Sequence, residues 1–425
     1  MTLSLAANVP AGEDAPFFQG QFRNARLLAR ALNIMARVVG ERWFDPAEVA
    51  RSRQMDPVVT SGCGHLRFEG FSACRSVYGR IDVLPEGVNV VQEKRGTTNI
   101  DFNQEMCRAL GRVRRGQDLS VCVSRDDFLL TRDDETVIEK KVKLPLSWIK
   151  GFASVQAIVS EFGKVLSLDG VAARDLFAQL PQVGDSRDTH WLSPDPNRPR
   201  ISRIQTQGAI QLSGGRRLLA LQELVPFAAS LTIHANNDGT MSSWTLSFEG
   251  FRIGILISPE VWRGFSGEGA ALGELVKVDD RVDEVRAHLA DTGLIDPEVL
   301  AIHCGIDLPT LRRVLARLAS QGLVGFDQMT GSCYERVLPG SELLVEKVNP
   351  RLVSARRWLE DGRVIVDRQK EDEIHAHVDL GEGRNYQVAI AGKRFRCSCF
   401  WCGQFGESRG PCAHVLAVHL LIDAR

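Results

Sequence analysis

No run of apolar residues in this chain is long enough to span a bilayer, so no membrane-crossing helix is expected. The opening stretch, MTLSLAANVPAGEDAPFF, has neither a basic segment nor a continuous apolar one, and no secretory signal is expected there. Cysteine is too sparse for a disulfide framework, with ten residues scattered over a 425-residue chain. Neither sign of charge is in excess: 52 Lys and Arg stand against 53 Asp and Glu. A general coat of positive potential is excluded, and any nucleic-acid contact must come from a local patch. Catalytic signatures are missing as well. There is no Gly-rich phosphate loop of either usual spacing, no paired-histidine motif for catalytic zinc, no nucleophile elbow and no kinase signature. No small-molecule substrate is evident, and the chain is expected not to be an enzyme; undetected chemistry in the middle of the chain is the lesser alternative.

What the chain does have is length for roughly two to four domains, each with a core of its own. Its composition is ordinary for a globular protein, 44% apolar and 25% charged. The most informative stretch is Arg396-Cys397-Ser398-Cys399-Phe400-Trp401-Cys402, continued by Pro411-Cys412-Ala413-His414. Cys397 and Cys399 point to the same side of an extended segment, so one strand end offers both sulfurs to one ion. Cys412 and His414 open a helical pattern carried on by Val415, Leu416, Val418 and Leu420. Three thiolates and an imidazole are ligands that zinc (Zn2+) prefers, and four protein ligands make a structural site. Cys402 is an alternative ligand. His419 lies off the face of His414. A thiolate site fits a reducing compartment, and a cytoplasmic location is expected.

These residues resemble the SWIM-type zinc finger, whose pattern is Cys-x-Cys, a variable gap, then Cys-x-His. The resemblance extends over residues 373–425. Glu373–Leu380 and Tyr386–Ile390 read as strands about Gly381-Glu382-Gly383, and a second turn leads into Phe395–Cys399. It implies DNA binding or protein–protein contact, and an accessory role beside MoxR-type ATPases and von Willebrand A proteins, as in bacterial SWIM proteins.

Upstream, residues 1–56 form a helical segment. Asn24–Gly40 has apolar residues at helical spacing with arginines between them, and Phe44–Met55 adds a second short helix. Residues 57–183 read as a first α+β block, with strands at 65–69, 76–84, 87–92, 120–124, 128–131 and 136–142 and a helix at 102–113. Cys63, His65 and Cys74 offer too few ligands for a second metal, so packing is their expected role. A polar, proline-rich linker covers 184–200. Residues 201–277 form a second block: an extended run to Leu212, a helix at 216–227 and strands at 230–235, 241–248 and 251–257, with turns at Asn236-Asn237-Asp238-Gly239 and Glu249-Gly250. Ser213-Gly214-Gly215 before that helix could receive an anion, though a plain turn is the expectation. Trp-Ile-Lys-Gly-Phe (148–152) and Val-Trp-Arg-Gly-Phe (261–265) close the two blocks and point to an internal duplication.

Residues 278–338 resemble a winged helix-turn-helix: helices at 282–291, 297–304 and 307–321, then two strands. Asp307 is a good N-cap and Pro309 suits the first turn. The resemblance implies that the third helix enters the major groove, where Arg312, Arg313 and Arg317, off the apolar stripe, meet phosphates or guanine edges. The alternative is a solvated face on a domain that packs against protein. A connecting helix spans 339–372. The expected fold is thus multidomain α+β, acting through DNA or a protein partner, either as a zinc-finger adaptor or as a winged-helix regulator.

Overall fold

Helix α1 (Ala25–Gly40) forms where its apolar spacing places it, burying Leu28, Leu32, Met35 and Val39 and leaving Arg26 and Arg37 exposed. The computed structural model describes residues 15–40, 57–141, 144, 146–182, 188–259, 264–265, 281–339, 350–370, 373–392, 394–405 and 410–423. The second N-terminal helix expected at 44–55 lies outside them. The protein is a mixed α+β chain in two units, Met1–Pro145 with Phe162–Gly264, and Leu146–Glu161 with Phe265–Arg425.

In the first unit the chain follows one path twice. Strand β1 (Phe18–Phe22) leads into α1. Strands β2 (Val58–Gly62), β3 (His65–Phe71), β4 (Val77–Val83), β5 (Val88–Glu93) and β6 (Gly96–Asn99) follow, then helix α2 (Gln104–Gly111). A meander closes the path: β7 (Leu119–Val123), β8 (Asp127–Arg132) and β9 (Glu135–Lys140). β1 adds antiparallel to β7, giving the sheet order β5-β1-β7-β8-β9. Helix α3 (Leu146–Val159) belongs to the other unit. The path then recurs with β10 (Gly163–Asp169), helix α4 (Gly170–Ala178), and strands β11 (Thr189–Ser193), β12 (Arg200–Ser202) and β13 (Ile210–Ser213). It ends in the meander β14 (Ser230–Ala235), β15 (Ser242–Phe248) and β16 (Phe251–Ile257), and β10 adds to β14 as β1 does to β7. The second meander continues into the first path through β16 and β4, producing an eight-stranded sheet of order β10-β14-β15-β16-β4-β3-β2-β6. At that joint the Leu84 N–H donates to the Gly250 carbonyl at 2.9 Å. Gly250 has φ +81°, and a Cβ on Gly87 would lie 1.9 Å from the Gly250 oxygen, so neither position accepts a side chain.

Three expectations change. The repeated path opens at β1 and β10, not at residues 57 and 201, and the Trp-Ile-Lys-Gly-Phe signature falls in α3, while residues 260–263 lie outside the described set. The 184–200 stretch is not simply a linker, because β11 is the central strand of the sheet β12-β11-β13 with His190 and Leu192 buried; neighbouring Asp and Pro mask that alternation in the sequence. Residues 216–227 form two 3₁₀ turns, Gly215–Leu221 and Val225–Phe227, not one α-helix. Pro226 withholds the backbone donor that a longer ladder needs.

In the second unit, helices α5 (Val282–Thr292), α6 (Pro297–Cys304) and α7 (Leu308–Ser320) precede the hairpin β17 (Val324–Asp327) and β18 (Ser332–Glu335). Asp296 and Asp307 cap α6 and α7, each ahead of a proline in the first turn. Val285, Leu289, Leu300, Leu311, Val314 and Leu318 form the core. A fourth helix joins them: α3 packs on α7 and β17. The Gln156 side-chain oxygen accepts from the Phe326 N–H at 2.7 Å, and the Arg336 guanidinium lies 5.7 Å from the Phe152 ring centre. Residues 146–161, placed by sequence in the first α+β block, therefore belong here; Phe152 and Val155 need an apolar partner and find it in this unit.

The eight-stranded sheet also holds a buried charge row. Register puts Arg67, Asp82 and Arg252 side by side on β3, β4 and β16. Asp82 Oδ1 lies 3.3 Å from Arg67 Nε and 2.7 Å from Arg80 Nη2, and Asp82 Oδ2 lies 3.8 Å from Arg252 Nη2. Burial alone would raise the Asp82 pKa, but the guanidinium groups of Arg80, Arg252 and Arg67 outweigh it and hold the carboxyl well below its usual range. Asp82→Asn should therefore cost about 3–5 kcal/mol by leaving buried guanidinium charge behind. Guanidinium chloride unfolding followed by near-UV circular dichroism checks this; a loss under about 1 kcal/mol would contradict it.

Candidate metal centre

The carboxyl-terminal part of the second unit is built from helix α8 (Pro350–Glu360), strands β19 (Val364–Lys370), β20 (Glu373–Asp379), β21 (Asn385–Ala391) and β22 (Arg394–Cys397), and helices α9 (Phe400–Phe405) and α10 (Ala413–Asp423). The strands pair antiparallel in chain order. Alternation gives the sheet one apolar face, with Ala376, Val378, Val388 and Ile390 buried, and α10 covers it with Val415, Leu416 and Val418, each fully buried. α8 packs on α10 through Leu352 and Ala355. The module is thus larger than residues 373–425: α8 and β19 belong to it. β19 escapes sequence reading because five of its seven residues are exposed, which leaves no alternation to read.

Cys397 ends β22, Cys399 sits in the bend just beyond it, and Cys412 immediately precedes α10, whose first turn contains His414. Their four ligand atoms lie within 4.8 Å of one another. His414 Nδ1 is 3.8 Å from Cys397 Sγ and 3.9 Å from Cys412 Sγ. A tetrahedral ion with sulfur ligands at about 2.3 Å sets ligand–ligand edges of roughly 3.8 Å, so the spacing suits a bound metal ion. Cys399, Cys412 and His414 are buried and Cys397 is half-buried. This donor set is compatible with zinc.

Hydrogen bonds among the thiols link their ionisation. Cys412 is drawn down to about 4 by a hydrogen bond from Cys397, helped by His414, the Val415 N–H and Cys399, against the opposing effect of burial. Cys397 moves far upward, first because its proton is held in the hydrogen bond to Cys412, then by burial and by the charge of the Cys412 thiolate. Burial raises Cys399. Close-packed thiols that resist ionising together are what a dication would reconcile.

Aromatic rings fix the imidazole. Trp358 of α8 stacks on His414 at 4.8 Å between centroids and 9° between planes, and Tyr386 of β21 stacks on it at 4.1 Å and 25°. Arg351 of α8 donates through Nη1 to the Pro411 carbonyl at 2.9 Å and lies 4.7 Å from the Trp401 ring centre, tying α8 to both ligand segments. Cys402 takes part through its backbone: its N–H donates to Cys399 Sγ at 3.4 Å, and it is not one of the four converging residues. Neither Trp358 nor Tyr386 stands out in the sequence, where nothing but proximity in the fold connects them to His414.

No family model matches the chain, and no curated protein matches it. Among solved structures it is similar to the Proliferating Cellular Nuclear Antigen from Entamoeba histolytica, at 11% identity over 58% of this chain and 99% of that one, with a TM-score of 0.37. The PCNA2-PCNA3 complex from Sulfolobus tokodaii is similar at 11% identity over 57% of this chain and 99% of the other, with a TM-score of 0.38.

The other sequence candidates do not assemble a second centre among the described residues. His65 Nδ1 meets the Cys63 carbonyl at 2.7 Å, and the Cys74 thiol sits between the hydroxyls of Ser72 and Ser76. The Ser213-Gly214-Gly215 turn is closed from within. The Arg217 guanidinium is buried and donates to the carbonyls of Gly214, Ser76, Ser258 and Ser213. On α7, Arg312 and Arg313 are exposed, with Arg313 Nη2 donating to Thr310 Oγ1 at 2.7 Å, while Arg317 is half-buried. The end of that helix, Leu318 to Ser320, is buried.

Cys412→Ser should abolish stoichiometric metal binding and unfold the carboxyl-terminal module while leaving the first unit folded, since the apparent binding energy of structural zinc, about 10–16 kcal/mol, has no substitute there. Elemental analysis with hydrogen exchange resolved by segment reads both. A Cys412→Ser protein that keeps one equivalent of metal and full protection of α10 would contradict it.

Proposed function

We propose that this chain is a recognition protein and not an enzyme: an adaptor that binds DNA or a protein partner through a zinc-clamped module of the SWIM type. The observation that carries this reading is the closure of the ligand set. Four protein ligands converge and three of them are buried, which leaves no open position for substrate or water at the ion; a closed tetrahedral site stabilises structure. The zinc identity rests on three thiolates and one imidazole, soft and borderline donors that suit that ion. A cytoplasmic setting and an accessory place beside a MoxR-type ATPase and a von Willebrand A protein follow from the SWIM resemblance alone.

A second reading, a winged-helix regulator, is favoured by one observation: the first half of α7 leaves Arg312 and Arg313 exposed, as a helix presented to a major groove would. One affinity-capture experiment separates the two. Zinc-loaded full-length protein and its Cys412→Ser and Arg312→Ala/Arg313→Ala forms are compared, with and without nuclease. The adaptor reading expects the captured partners, protein or DNA, to disappear with Cys412→Ser and to persist in the double arginine variant. Capture unchanged by Cys412→Ser but lost with the arginines would overturn it in favour of the regulator.

A further inference from the structure

The face of the β19–β22 sheet turned away from α10 has a composition of its own. Register lines up Arg368, His375, Ala389 and Arg396 across the four strands in one row. In the next row stand Lys370, Glu373, Ala391 and Arg394. Basic side chains thus flank a middle made of the His375–Glu373 pair and two alanines. The carboxylates near them are engaged: Glu373 Oε1 meets His375 Nε2 at 3.0 Å, Asp367 Oδ1 meets His377 Nδ1 at 2.8 Å, and Asp379 accepts from the Gly381 N–H at 2.8 Å. Arg394 and Arg396 are exposed and make no ion pair among the described residues.

Just after β22 the chain exposes an aromatic ring. Ser398 extends the line of β22 by bonding both ways with Gln387, its N–H to the Gln387 carbonyl at 3.0 Å and its Oγ to the Gln387 N–H at 2.9 Å. Two residues on, directly after the ligand Cys399, Phe400 is 83% exposed, the most exposed large hydrophobic residue described. Exposed guanidinium groups on a sheet face, followed four residues past Arg396 by a phenyl ring left in water on a helix that packs on β22, match the needs of a chain that carries phosphates and free base faces.

We propose that the outer face of the β19–β22 sheet, with Phe400, binds single-stranded nucleic acid. The phosphates lie along Arg394 and Arg396, and a base stacks on Phe400. Duplex is disfavoured because its bases are already stacked on one another, and the sheet face offers no element to enter a groove. This rests on the recognition reading above and names the ligand class for the same module.

The test uses zinc-loaded full-length protein, a labelled oligothymidine of about a dozen nucleotides and a duplex of equal length, followed by fluorescence anisotropy from about 50 to 200 mM salt. The oligothymidine should bind more tightly than the duplex. Phe400→Ala should weaken it roughly five- to hundredfold, in line with about 1–3 kcal/mol per stacked base, with metal content and circular dichroism unchanged because the ring is exposed. Arg394→Ala/Arg396→Ala should reduce the salt slope by about 0.7 for each phosphate that the variant no longer neutralises. Equal affinity for duplex, or a Phe400→Ala protein that binds oligothymidine as the parent does, overturns the proposal. Parent protein that ignores oligothymidine yet captures Cys412-dependent partners overturns it too, while the recognition reading stands.

Discussion

Three sulfurs and an imidazole nitrogen held within 4.8 Å of one another set the terms for everything around them. As bare thiols they compete for protons, one driven toward the thiolate and another away from it. As thiolates they repel at close range in a partly dry environment, where charge is weakly screened. A dication resolves both conflicts. The sheet, α8 and α10 hold the four donors ready for it, and an ion bound there would join the Cys397–Cys399 segment to the Cys412–His414 segment, with twelve residues between Cys399 and Cys412.

The supporting shell explains why α8 belongs to this module. A ligand imidazole must be oriented as well as present, and groups around the ligands commonly set that orientation. Here the orientation comes from stacking: His414 lies between Trp358 and Tyr386, near-parallel to the first. Arg351 adds a hydrogen bond to Pro411, just ahead of Cys412. One face of the sheet is then committed to the core and the metal, and the other is left for solvent or a ligand. In the proposed reading, structural chemistry lies on one side of the module and recognition on the other.

Much of this is legible in the sequence where local rules decide. Cys-x-Cys and Cys-x-His carry the ligand set in their spacing. The strands of the second meander read almost to the residue, because alternation and hairpin turns are short-range signals. Asp307 with Pro309 marks the start of α7. Non-local choices are not legible. Sequence places α3 in the wrong block because its partner, α7, lies far along the chain, and apolar residues declare a need for burial without naming what meets it. β11 hides among Asp and Pro residues, and β19, mostly solvent-facing, shows no period. The stacking of Trp358 and Tyr386 on His414 exists only once β21, α8 and α10 meet.

The central claim is that one ion sits in a closed shell of three sulfurs and one nitrogen. X-ray absorption at the metal edge of the full-length protein measures that shell directly. The account predicts three sulfur scatterers at about 2.3 Å and one nitrogen at about 2.0–2.1 Å, with no oxygen. A shell of four sulfurs, which would bring in Cys402, or one containing a water oxygen, which would open the site, would contradict it.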